Sequence, residues 1–224
     1  MCGRFTLTAK PEAVAESFGL DAAPEAFGAR YNIAPTQRVA VVANREPREL
    51  EWFQWGLVPF WAKDPAIGQR MINARAEGVA EKPSFRAAFR KRRCLVVADG
   101  FHERKREVKR KTPMHVRLAS QAPFAFAGLW ESWRPRDASD DTEPLRTCTI
   151  ITTTPNRLLA EIHDRMPVIL SPGAYDLWLD PQEDDRDRLE ALLAPCDPQP
   201  FEAFAVSTFV NAPSHDGPQC IEPA

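Results

Sequence analysis

Proline sets the scale on which this chain can fold. Its 224 residues carry 21 prolines, scattered from Pro11 to Pro223, and proline favours turns and the first turns of helices over their interiors. They read as turn punctuation and not as one linker, so the expectation is many short elements in a single domain over residues 1–224. Apolar runs of strand length lie between them: Val39 to Val42, Leu50 to Trp55, Cys94 to Ala98, Phe124 to Leu129, Cys148 to Thr153 and, late in the chain, Phe204 to Ser207. Asp99-Gly100 is a strong turn dipeptide and predicts a hairpin that pairs Cys94–Ala98 with the alternating run Met114 to Leu118. Thr8 to Leu20 reads as a first helix, with Pro11 in its first turn, Val14 and Phe18 four apart, and Gly19 as the cap. Phe85, Ala88 and Phe89 put an apolar stripe on another short helix. Thr154-Pro155 opens a third, with Thr154 as its cap, while Ser171-Pro172 and Arg186 to Ala194 start and fill later ones. Strands and short helices alternate without βαβ regularity, which predicts an α+β fold.

With 44% hydrophobic and 27% charged residues the chain can bury a core and is not a disordered one. No apolar run reaches the roughly 18 residues of a membrane span, so no membrane association is expected. The opening Met-Cys-Gly-Arg-Phe carries a charge at position 4, which argues against a signal peptide. Cysteines at 2, 94, 148, 196 and 220 form no CxxC pair, and there are only four histidines. Neither a disulfide framework nor a metal site follows, and the expected compartment is the reduced cytoplasm. The net charge of -2 is a cancellation: Arg86 to Lys111 holds eleven Lys/Arg against three acids, and Asp176 to Glu202 holds nine acids against two arginines. The basic run is either a solvated face or a surface that tracks phosphates.

Cys2 is the most informative residue. If Met1 is removed, Cys2 carries a free α-amine with a pKa of roughly 7.7–8.0 next to a thiol, a 1,2-aminothiol. The amine condenses with an aldehyde to an imine, and the thiol closes onto the imine carbon to give a thiazolidine, a ring closure favoured because it is intramolecular. An N-terminal cysteine also serves as the nucleophile of peptidases and amidases, and a buried cysteine of no chemical use is the plain alternative. His163, between charged neighbours, has a titration range suited to proton transfer, although a lone histidine also serves structure. Glu103 is either a general acid beside a positive groove or a surface ion-pair partner. Asn73 offers a donor and an acceptor, and Arg75 a guanidinium fork for a phosphate. Gly-rich phosphate loops and metal-ligand spacings are missing, which leaves kinase, dehydrogenase and metallohydrolase readings unsupported.

Taken in order, Met1-Cys-Gly-Arg-Phe5, Tyr31-Asn-Ile-Ala-Pro35, Trp55-Gly-Leu-Val-Pro59, Ile72-Asn-Ala-Arg75 and Ala98-Asp-Gly-Phe101 with Glu103 resemble the SRAP family of abasic-site processing proteins. Ile162-His-Asp-Arg-Met-Pro167, Val206-Ser207 and Asp216-Gly-Pro-Gln-Cys-Ile-Glu222 continue the resemblance to the end of the chain. It implies a mainly antiparallel, barrel-like sheet core flanked by short helices. It also implies self-removal of Met1 and a thiazolidine crosslink between Cys2 and an abasic site in single-stranded DNA, by a monomer with no cofactor. Strand cleavage by β-elimination from the imine is a side outcome. In the family pattern Asn73 orients the sugar and Cys2, Glu103 is the acid/base, and His163 assists imine formation. Arg4, Arg75 and Arg165 fall where phosphates are met or the pocket is buttressed. Where the family commonly has an aromatic pair around the glutamate, this chain has His102 and Arg104. The alternatives are an N-terminal-nucleophile peptidase and a non-catalytic single-strand binder.

Overall fold

The computed structural model describes residues 2–22, 24–106, 111–139 and 141–224. Its strands are β1 (Arg4–Leu7), β2 (Arg30–Ile33), β3 (Arg38–Ala43), β4 (Leu50–Trp55), β5 (Asn73–Arg75), β6 (Arg93–Ala98) and β7 (Gly100–Arg106), then β8 (Lys111–Leu118), β9 (Phe124–Trp133), β10 (Leu145–Thr153), β11 (Met166–Pro167), β12 (Ile169–Leu170) and β13 (Phe201–Ala205). The helices are α1 (Pro11–Phe18), α2 (Arg86–Lys91), α3 (Arg157–Ala160), α4 (Tyr175–Leu179) and α5 (Arg186–Ala191). All are short, as the prolines require, and no described helix is long and apolar enough to cross a membrane.

Five strands close on themselves. The antiparallel path β4–β3–β6–β9–β10 returns to its start because β10 pairs in parallel with β4. Closure leaves no edge between these strands, and Val41, Phe53, Leu95, Phe126 and Ile150 are fully buried there. An antiparallel sheet, β13–β8–β7–β1–β2, lies beside this barrel. Their contact is aromatic: Phe5 meets Trp55 and Phe126 edge-on at centroid distances of 5.1 and 5.7 Å, and Phe101 meets Phe126 at 5.9 Å. The expected α+β, barrel-like core is therefore present.

Asp99-Gly100 does something other than close a hairpin. The chain leaves the barrel at Asp99 and enters the second sheet at Gly100, so the partner of Met114–Leu118 is β7 and not β6. The Asp99 carboxylate accepts hydrogen bonds from Thr6 Oγ1 (2.5 Å), Thr8 Oγ1 (2.7 Å), Ala9 N (2.8 Å) and Thr8 N, all far away in sequence. Turn propensity is local and cannot register such donors. Gly100 is required by close approach, since a Cβ there would lie 2.4 Å from the His115 ring.

α1 starts at Pro11 and ends at Gly19 in the left-handed region (φ 56°), where glycine carries no Cβ penalty. The cap of α3 is Asn156 and not Thr154: its Oδ1 accepts from the amides of Leu158 and Leu159 at 3.1 and 3.0 Å. α5 stops at Ala191, short of the expected Ala194, and the late strand runs over Phe201–Ala205, earlier than expected.

The basic run is split by the fold. Arg93 has no exposed surface and donates to the carbonyls of Trp178, Phe89, Arg90, Asp180 and Glu183. Arg92 pairs with Glu131 at 2.7 Å. The first half of the run thus ties α2 and β6 to the acidic segment after α4. The second half forms the β7–β8 hairpin, whose residues 107–110 lie outside the described residues.

Candidate functional site

The register of β1 on β7, Arg4 opposite His102 and Phe5 opposite Phe101, carries the N-terminal segment alongside Glu103. Cys2 has no exposed surface, and its Sγ lies 3.8 Å from the Arg4 carbonyl. The Cys2 carbonyl accepts from Asn73 Nδ2 at 2.9 Å. Asn73 is placed by β5, whose parallel pairing sets it opposite Ile150 of β10. Its Oδ1 is buried without a hydrogen-bond partner, an acceptor held ready in a protein where buried polar atoms are normally satisfied. Met1, and with it the expected self-cleavage, lies outside the described residues.

Glu103 is central in β7 and only 5% exposed. Burial pushes its carboxyl above the ordinary glutamate range, and a positive charge on the His163 ring, when that ring is protonated, would pull in the opposite direction. Burial also pushes the Cys2 thiol far up, and the negative charge of Glu103 adds to this. Both groups are thus biased toward their protonated forms. His163 follows α3, its amide bonded to the Leu159 carbonyl at 2.8 Å. Its Nδ1 lies 3.1 Å from the donating amide of Arg165 and 2.8 Å from Asp164 Oδ1. These contacts ask opposite things of one nitrogen. The backbone donor is the more constraining, because the Asp164 side chain is 82% exposed and can turn to water. Nδ1 then accepts and Nε2 carries the ring proton.

A cavity of about 330 Å³ is lined by Gly3, Arg4, His102, Glu103, Arg104 and His163 among others. Glu103 and His163 line it directly, whereas buried Cys2 adjoins it through its neighbour Gly3 and brings Asn73 with it through the bond to the Cys2 carbonyl. The three arginines differ. Arg75 is exposed at the end of β5. Arg165 makes a two-point ion pair with Glu77, with Nη2 3.0 Å from Oε2, and also donates to the Thr152 carbonyl at 2.5 Å. Its side chain is 14% exposed, so it braces β10 here. Arg4 Nη1 donates to Asn32 Oδ1 (2.9 Å) and the Val210 carbonyl (3.0 Å).

Sequence reasoning did not find Asn211, and it met Asn32 and Lys111 only as members of a motif and of the basic run, with no site role. Asn32 Nδ2 reaches the carbonyls of Val210, Ala212 and His215, and Asp216 Oδ1 accepts from the amides of Tyr31 and Asn32. The Tyr31–Pro35 and Asp216–Glu222 motifs are two halves of this clamp, which only the fold brings together. Among the described residues no group of three or more His, Cys, Asp or Glu could hold a metal ion.

A model of the family described as SOS response associated peptidase (SRAP) matches residues 1–213. The abasic site processing protein YoqW of Bacillus subtilis (strain 168) is 46% identical over 226 aligned residues, 99% of each chain. The abasic site processing protein YedK of Escherichia coli (strain K12) is 30% identical over the full length of both. A crystal structure of a protein from Bacteroides thetaiotaomicron matches over the whole of both chains with a TM-score of 0.88 at 28% identity.

Proposed function

The chain belongs to the SOS response associated peptidase family, and from that premise we propose that it processes abasic sites in single-stranded DNA by covalent capture on Cys2. The observation that carries the reading is the hold of Asn73 Nδ2 on the Cys2 carbonyl, with Asn73 Oδ1 left open beside it. Hydrolysis of the Met1–Cys2 peptide bond consumes one water and frees the Cys2 amine. That amine adds to the ring-opened C1′ aldehyde of the abasic sugar, and the carbinolamine loses water to leave an imine. Glu103, whose carboxyl is biased toward its protonated form by burial, supplies the proton on which that water departs. Its carboxylate then takes the proton from the Cys2 thiol as sulfur bonds to the imine carbon. The nitrogen, which the departure of water left protonated, keeps that proton as it becomes a secondary amine, and a neutral thiazolidine links protein and DNA.

A buried, protonated thiol suits this order, since it stays passive until the imine exists a bond or two away. His163 assists proton transfer at the same carbon, and Arg4 and Arg75 meet the phosphates. β-Elimination from the imine, ahead of ring closure, gives strand cleavage as a minor outcome. The reaction as written calls for no metal or organic cofactor, and one protomer supplies every group.

The test is a denaturing gel after incubation with a single-stranded oligonucleotide holding one abasic site, with intact mass measured alongside. The expected result is a denaturant-stable adduct, absent with Cys2→Ala, formed by protein that lacks Met1. Glu103→Ala and His163→Ala should each slow it by about 10²-fold. No adduct with the wild type, an undiminished one with Cys2→Ala, or peptide hydrolysis in trans by protein inert toward abasic DNA, overturns the reading.

A further inference from the structure

We propose that Arg104, with Arg4 and Lys111, forms a subsite for a DNA phosphodiester adjacent to the captured sugar. This rests on the function proposed above and adds a residue to it. Arg4 and His102 are cross-strand partners on β1 and β7. Arg104 lies two residues further along β7, hence on the same face as His102. Lys111, at the start of the neighbouring β8, lines the same cavity as Arg4, Arg104, Glu103 and His163.

These cations differ from many of the chain's exposed or half-exposed arginines in what they are bonded to. Arg165, Arg30, Arg92 and Arg117 each sit on a carboxylate, of Glu77, Asp216, Glu131 and Glu202. Arg4 donates only to the side-chain oxygen of Asn32 and the carbonyls of Val210 and Asn211. Arg104 donates through Nη2 to Asn211 Oδ1 at 3.0 Å. Among the described residues neither guanidinium has a carboxylate within ion-pair distance. Asn211 thus spaces both arginines through neutral oxygens while leaving their charges uncompensated. Arg104 is exposed, with most of its five N–H groups open to a ligand. Two guanidiniums held near each other favour an anion between them. Burial lowers the proton affinity of Arg4 first, and the positive charge of Arg104 lowers it further.

The anion must be one that accompanies the aldehyde into the cavity, and a phosphodiester next to the lesion fits. A guanidinium can bind two of its oxygens at once, and release of condensed counterions adds a salt-dependent gain. At a position where the resemblance leads one to expect an aromatic ring, this chain places a cation. A stacking surface is replaced by a charge.

The experiment measures adduct formation against salt concentration for wild type, Arg104→Gln and Arg104→Lys. The oligonucleotides are an ordinary abasic single strand and two versions with a neutral methylphosphonate replacing the phosphate on one side of the lesion or the other. Arg104→Gln should react about tenfold more slowly at low salt and melt as the wild type does. Its log–log salt slope should be shallower by about 0.7, the loss of one single-strand phosphate contact. Arg104→Lys should restore the slope but not all of the rate. On one of the two methylphosphonate strands wild type and Arg104→Gln should react alike. Equal rates and slopes on ordinary DNA, or a defect that persists on both neutral strands, overturns the subsite. If the wild type forms no adduct with any strand, the proposed reaction fails instead. Arg104 is then judged by equilibrium binding of undamaged single strand, where an Arg104→Gln slope equal to wild type overturns the assignment.

Discussion

Arg93 sits without exposed surface among five main-chain carbonyls, whereas Arg104 stands exposed on the cavity rim with one hydrogen bond to Asn211. Both come from the same basic stretch. Arg93 uses its N–H groups on carbonyls that burial would otherwise leave unsatisfied, and its ring contact with Trp178 at 5.9 Å adds to the hold. Arg104 keeps its donors. A cation's part in binding therefore depends on how many donors the fold has left it and on whether a carboxylate answers its charge. Position within a basic run decides neither.

The comparison is broken most directly at the buried end. Arg93→Met should cost about 3–5 kcal/mol, the scale for losing a buried charged group whose partners remain, read as a large fall in melting temperature. The adduct rate per folded molecule should stay unchanged in the cold. A variant that melts with the wild type would show that the carbonyl cluster is not what holds α4 to β6.

Acid provides an effect of comparable size. The His102 and His115 rings pack against each other at a tilt of 42° and a centroid distance of 4.8 Å, and burial lowers their pKa values to about 4 and about 3 from an ordinary 6.5. Below 6.5 the unfolded chain takes up protons that the folded chain refuses, so stability falls as pH drops from 6.5 toward 4 and then 3. At about 1.36 kcal/mol per unit, His102 alone accounts for roughly 3 kcal/mol across that window. Urea midpoints measured from pH 7 to pH 4 check this, and a flat profile would remove the buried pair from the account.

Arg4 lies between the two extremes, half-buried and bonded to neutral oxygens. Arg4→Ala should cost about 1–2 kcal/mol through its lost bonds to the C-terminal segment, and should also weaken DNA capture. Finding only one of the two effects would place Arg4 on one side of the comparison. At the small end is Arg186, exposed between Glu81 and Glu190. Arg186→Ala should shift neither melting temperature nor capture, as expected for a surface pair.

Much of the fold is legible because it is local. The apolar runs at Leu50–Trp55 and Cys94–Ala98 are strands, and Pro11 and Gly19 bracket α1, since both follow from residue type at short range. Asp99 is misread for the converse reason, its donors being Thr6, Thr8 and Ala9. Within the candidate site, Cys2 is conspicuous by position alone and Asn73, Glu103 and His163 by motif. Lys111 is marked only as the end of the basic run and Asn211 not at all, as a lysine and an asparagine in strand and loop are ordinary until a cavity forms between them.

By itself the sequence determined the short-element α+β character, because prolines act within a turn of where they stand. It also determined the chemistry on offer, because a cysteine at position 2 would need only the loss of Met1 to present an aminothiol, a matter of bond connectivity. Tertiary structure alone decided that β10 closes on β4, that Asn73 grips the Cys2 carbonyl, and which arginines keep an unanswered charge. These are long-range pairings, and no property of either partner's local sequence encodes the distance between them.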